Sequence, residues 1–240
     1  MNFHYKYPLP KKHLNNLIKV KNPIYFMEKL LFKGFILLFS LYMLAGSISA
    51  VTKTQENCIS QSEVKFQNEF RKLWMDHVLW TSNYITSATT AGAEDQKQVL
   101  SRLLKNQEDI GNAVKGVYGE EAENKLTDLL KEHIVIAGKI VDAAKTGKEA
   151  LVKQLNKEWY RNADDIAAFL SGANPYLKDE DLKKLLCIHL KLVTNDLSAS
   201  LAKDWDARIV AIDERVTHII LMADAISAGV VKQFPEKFNK

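Results

Sequence analysis

The sequence predicts an all-α protein: a six-helix antiparallel bundle made from three 56-residue helical hairpin repeats and preceded by a signal peptide. Three observations carry this. Prolines stand only at 8, 10, 23, 175 and 235, so residues 51–174 hold none. Across that stretch apolar residues recur at helical spacing, without the alternation of a strand. The apolar stripes are also superposable. Phe70, Leu73, Trp74, His77 and Val78 become Leu126, Leu129, Leu130, His133 and Ile134 after 56 residues, and Leu182, Leu185, Leu186, His189 and Leu190 after another 56.

Taken in chain order, residues 1–50 read as an N-terminal extension and a targeting segment. From Met27 the order is positive (Lys29, Lys33), uncharged and apolar (Gly34–Ala45), then small (Ala45, Gly46, Ser47, Ser49, Ala50), the layout of a secretory signal peptide. The uncharged run 34–51 is 18 residues, short of the roughly 20 strongly apolar ones that a spanning helix uses, so retention as an anchor through residues 30–50 is the second reading. Met27 is an alternative to Met1 as the initiator. Export would place the protein outside the cell or at its surface. Residues 51–62 read as a linker.

Helices are expected near 63–90, 95–117, 120–145, 148–171, 178–200 and 204–232, pairing as hairpins of about 63–118, 119–174 and 175–235 in a single domain. Turn signals fall at Ala91-Gly92-Ala93 and Thr146-Gly147-Lys148. A third turn is expected near Ser200–Asp204, with Asp204 as the N-cap of the last helix. Tyr118-Gly119-Glu120 and Ser171-Gly172-Ala173-Asn174-Pro175 separate the repeats, the latter followed by acids at 179–181 suited to a helix start. One hairpin cannot bury its own apolar face, so three should close a common core, as a bundle or a short solenoid-like stack.

Composition allows such a core, with 47% hydrophobic and 26% charged residues. The formal net charge of +4 is misleading. Seven lysines against Glu28 lie in residues 1–50, which leaves 26 basic and 28 acidic residues in 51–240. A slightly acidic chain with interspersed charges has no long-range attraction for phosphate backbones, so no nucleic-acid partner is expected. Membrane contact is expected only through an uncleaved N-terminal segment. Cys58 and Cys187 make no disulfide framework, and two separate thiols are expected, with Cys187 near the core.

The candidate site is a histidine register. His77, His133, His189 and His218 are the histidines of 51–240, and all fall at special repeat positions. The second helices carry Asn106-x-x-Asp109-Ile110 and, 56 residues on, Asn162-x-x-Asp165-Ile166, while His218 takes the Asn position in the third copy. His77 and Asn106, His133 and Asn162, and His189 and His218 are equidistant from their loops. Antiparallel packing would bring six polar side chains to one level. Asp76, Glu132, Asp109, Asp165 and Glu214 are the nearby carboxylates.

Two readings of that layer stand. In one, it holds a transition metal ion or a small polar ligand, through the four histidines with Asn106, Asn162, Asp109 and Asp165; neutral imidazole is a strong ligand for Zn, Cu, Ni or Fe. In the other it is scaffold, each histidine hydrogen-bonding the Asn or Asp of its partner helix and fixing register. Catalysis by acid–base groups of the layer is a third reading, but no GxSxG, Walker-type loop, dinucleotide fingerprint or His-Glu-x-x-His is present. Trp74, Trp80, Tyr84, Trp159 and Tyr160 lie at core spacing and are expected to pack.

Several phrases resemble a family of bacterial all-helical proteins. They are Leu73-Trp74-x-Asp76-His77-Val78-x-Trp80-Thr81, Asp109-Ile110-Gly111-Asn112-Ala113, Leu129-Leu130-Lys131-Glu132-His133, Trp159-Tyr160-x-Asn162-Ala163-Asp164 and Lys232-Gln233-Phe234-Pro235. Members often carry names such as glycosyltransferase or acetylglutamate kinase. The resemblance implies the helical fold. Those names imply α/β folds with nucleotide-binding loops, which an all-helical chain with ten glycines does not offer.

Overall fold

The computed structural model describes residues 59–238, so the signal-peptide region, most of the linker and Cys58 lie outside the described residues. The described chain is helical, with no strand among those residues. It forms α1 (Gln61–Thr89), α2 (Gln96–Tyr118), α3 (Glu120–Lys145), α4 (Glu149–Ala173), α5 (Asp179–Ala202), α6 (Trp205–Gln233) and the short α7 (Pro235–Phe238).

Each boundary has a local cause. Ser60 caps α1, its side chain accepting from the Glu63 N–H at 3.0 Å, so α1 starts inside the expected linker. A single residue, Gly119, separates α2 from α3; its φ of 86° is a conformation that a Cβ disfavours. Asp204 caps α6 as expected, accepting from the Ala207 N–H at 3.0 Å, after Lys203 turns the chain with φ 57°. The C-terminus departs from expectation. The domain does not end at 235, because α7 carries the buried Phe238 ring to 5.1 Å from Phe66.

Each long helix packs on its successor, and α6 packs back on α1. Six helices therefore close on themselves, and the open solenoid-like alternative does not apply. The first helix also touches α3 and α5, which puts the odd-numbered helices on the inside. The core follows the expected stripes: Phe70, Trp74, Leu130, Trp159, Leu190 and Met222 are all buried. Arg71 with Asp224 ties α1 to α6, Lys131 with Glu108 (2.7 Å) ties α3 to α2, and Arg161 with Glu132 (3.0 Å) ties α4 to α3.

Close helix approach depends on small residues. At Gly111 of α2 an added Cβ would lie 2.0 Å from the Thr127 hydroxyl and 3.1 Å from the Glu123 carbonyl oxygen of α3. The hydroxyl can rotate away, but the carbonyl is fixed backbone. Gly111→Ala is expected to destabilise the fold by about 1–3 kcal/mol, the cost of overpacking a fitted contact. Urea unfolding followed by circular dichroism reads this, and an unchanged midpoint would refute it.

Two aromatic or thiol expectations need correction. Tyr160 is 40% exposed, on the outer side of α4, while Trp159 beside it is buried. Cys187 is exposed as well. Both lie next to a core position on a helix, where a shift of one residue turns a side chain by about 100° toward solvent.

Candidate functional site

The interior stripes of α1, α3 and α5 bring three imidazoles together. The His77 and His189 ring centroids lie 5.4 Å apart, and those of His133 and His189 6.2 Å apart. All three are buried, with 3–4% of their surface exposed. His218 sits outside this trio and bonds backbone, its Nε2 lying 2.9 Å from the Leu185 carbonyl oxygen.

The second helices meet the layer through one recurrent contact. Asn106 Nδ2 donates to the Leu73 carbonyl (3.0 Å), and Asn162 Nδ2 donates to the Leu129 carbonyl (3.1 Å). His218 makes the corresponding contact to Leu185. In every case the partners are 33 residues apart in sequence. Such carbonyls already accept within their own helices, so the side chains exploit a second lone pair and lock one helix against the next.

The histidines themselves are served unequally. His133 Nδ1 lies 2.8 Å from Asn162 Oδ1, a buried bond that fixes the proton on Nδ1. His77 Nδ1 faces the amide of Gln107 at 3.3 Å, not that of Asn106. His189 Nδ1 has no hydrogen-bond partner. Burial therefore dominates their acidity. It holds His77 down to about 3, helped by His133 and Arg215, and His133 down to about 4 against the opposing pull of Asn162 and Glu132. His189 is also pushed well below 6.5, by burial first and then by its histidine and arginine neighbours. Burial lowers His218 too. At neutral pH the layer is uncharged.

The carboxylates divide. Asp109 and Asp165 do not join the layer. Asp109 faces Arg102 and Lys105, both at 3.5 Å, and Asp165 faces Arg161 at 2.9 Å. Each lies three residues beyond its buried Asn, at the edge of the inward face, where a cation one turn away draws it to the surface. Asp76 pairs with Lys72 at 2.6 Å, and Glu214 is exposed. Only Glu132 reaches the layer's rim, accepting from Asn162 Nδ2 at 3.2 Å.

Sequence reasoning missed three interior residues. Gln107 is fully buried and also donates to Asn106 Oδ1 (3.1 Å) and the Leu103 carbonyl (2.8 Å). Arg215 and Asp196 are fully buried and form an ion pair, with Arg208 Nε 3.1 Å from Asp196 and Ser82 Oγ 3.0 Å from Arg215. The repeat contains the signal that would have found them. Arg215 stands where the earlier copies have Leu103 and Trp159, and Asp196 where they have Tyr84 and Ile140. Two apolar partners have become a charged pair in one hairpin only.

Little space surrounds the layer. A closed cavity of about 30 Å³ lies on the Trp74 and Leu130 side and another of about 30 Å³ on the Thr81 and Ile134 side. Such volumes admit about a water or two. Neither is lined by a histidine, nor is the groove of about 360 Å³ on the outer surface between α1 and α6. Among the described residues, no group of three or more His, Cys, Asp and Glu is arranged to hold a metal ion, and no helix is long and apolar enough to cross a membrane. No family model, curated protein or solved structure matches this chain.

Proposed function

We propose that this is an exported helical bundle of three antiparallel hairpin repeats that works by binding or as structure, without catalysis, and whose histidine layer sets the register of the helices. The single observation behind this reading is the side-chain-to-carbonyl contact made once in each hairpin, by Asn106, Asn162 and His218 to Leu73, Leu129 and Leu185. A contact repeated with the sequence period is what duplication of a structural device leaves behind. Enclosure of the imidazoles supports it, because a substrate would have to open the core to reach them. Export rests on the positive, apolar and small order of residues 27–50, and membership of the resembling bacterial family belongs to the same proposal.

A second reading, a metal or small polar ligand on the histidines, is favoured by one feature: three imidazoles lie close together and His189 Nδ1 is without a partner. The two differ in a simple titration. Protein purified without a histidine tag is expected to carry no stoichiometric Zn, Cu, Ni or Fe and to keep its melting temperature when each is added. One equivalent of metal retained through dialysis, with a melting temperature that rises with metal and no longer does so in His189→Leu, would replace the scaffold reading by the metal one.

A further inference from the structure

The sixth helix has a second apolar stripe that the core does not use. Trp205, Ile209, Ile212 and Val216 follow one another at spacings of four, three and four, the seam of a helix that packs against another helix. The stripe borders the groove between α1 and α6, whose lining includes Met75, Leu79, Ser82, Arg208, Ile212 and Val216. Leu79, Trp205 and Ile209 are 52%, 58% and 59% exposed. At the equivalent positions of α4 the residues are Glu149, Lys153, Asn156 and Tyr160, so the stripe is peculiar to the third hairpin.

Charge flanks the stripe on one side. Asp206 and Asp213, one residue beyond Trp205 and Ile212, are exposed and form no ion pair among the described residues. Arg208, on the other side, is turned inward to Asp196 and to Thr86 Oγ1 at 2.6 Å. The size of the surface matters too. Three half-exposed large side chains offer on the order of 100 Å² apiece, well short of the roughly 800 Å² that each partner gives to a stable globular interface. One helix laid in a groove needs less, since alternate turns supply its anchors.

We infer that the groove between α1 and α6 docks a basic amphipathic helix of a partner protein, its apolar stripe on Leu79, Ile209, Ile212 and Val216 and its Lys or Arg residues facing Asp206 and Asp213. This builds on the reading of the protein as a binding bundle and names the partner's chemistry. The neutral seam and paired Arg208 leave an acidic rim, which selects against acidic helices and anionic membrane surfaces.

A synthetic 18-residue peptide with Leu at i, i+4, i+7 and i+11 and Lys on both flanks serves as the probe, followed by calorimetry on the whole chain. Two controls are a scrambled peptide of the same composition and one with Glu for Lys. The expected result is micromolar binding of the first, weakened about tenfold or more by scrambling, by Glu, by Ile209→Ser or by Asp206→Lys with Asp213→Lys. Both variants are at exposed positions, and unchanged helicity and melting temperature confirm that they fold. Binding that ignores Ile209→Ser, or no binding at all, overturns the proposal. A wild-type dimer that Ile209→Ser turns into a monomer overturns it in favour of a second copy as the occupant. Metal uptake by the histidines would defeat the scaffold reading alone, since the groove shares no residue with that layer.

Discussion

Acidification from pH 7.5 to pH 4 is expected to unfold this protein, with the loss beginning near pH 6.5. The sign follows from proton counting. An unfolded chain binds a proton on each histidine below about 6.5, whereas burial holds folded His77 near 3 and folded His133 near 4. Between those limits the unfolded state carries more protons, so stability falls as pH falls. It is fully present above 6.5 and is lost on the way down to the folded values. Each such histidine contributes a slope of about 1.4 kcal/mol per pH unit within its window. His77 and His133 together give nearly 3 kcal/mol per unit, and His189, shifted in the same direction, steepens it further. A domain with about 5–15 kcal/mol of stability does not survive two units of that slope by a wide margin.

The pH window identifies the groups. Glu108, held down to about 2 by Lys131 and Lys105, acts at lower pH, between about 4.5 and 2, and sits on the surface. Thermal melts at half-unit steps from pH 7.5 to 4.5 measure the effect. The slope is expected to fall by about one proton in His189→Leu, a substitution that removes the one imidazole lacking an Nδ1 partner. A flat melting temperature across pH 7–5 would show that the imidazoles are not buried together.

The second large effect is expected at the Asp196–Arg215 pair. Asp196→Ala leaves a fully buried guanidinium without its counter-charge, although Ser82 still faces it. Breaking one side of a buried pair costs about 3–5 kcal/mol, because the remaining charge has lost water and partner alike. Burial already pulls the Arg215 pKa down, opposed mainly by Asp196, and Arg215 Nε and Nη2 have no partner of their own. Replacing both residues with apolar ones, Asp196→Leu with Arg215→Met, is expected to restore most of the loss, since the first two hairpins run on apolar residues at both places. Denaturant midpoints of the two single variants and the double variant form the cycle. A double variant as unstable as the sum of the singles would mean that the pair is not coupled.

The histidine register was legible because periodicity writes it into the chain: 56 residues separate His77, His133 and His189, and all three meet in the core. The partners of those histidines were legible only in part. Asn162 bonds His133 as symmetry suggests, but His77 turns to Gln107, where the other copies have Ala163 and Ile219. Asp109 and Asp165 seemed as near as the asparagines in sequence. Their cationic neighbours at Arg102, Lys105 and Arg161 hold them outside, and such competition depends on which rotamer reaches which charge.

By itself the sequence determined the helices, their order and the inward stripes, because helix periodicity and turn residues act over a few positions and need no knowledge of the rest of the chain. Tertiary structure decided which polar side chains became interior. Closure of α6 onto α1 buried Arg215 with Asp196, residues that a local pattern assigns to the surface, and left Trp205 and Ile209 outside, residues that it assigns to a core. Burial of a charge or exposure of an apolar ring depends on what arrives from a distant helix, and no window of neighbouring residues contains that information.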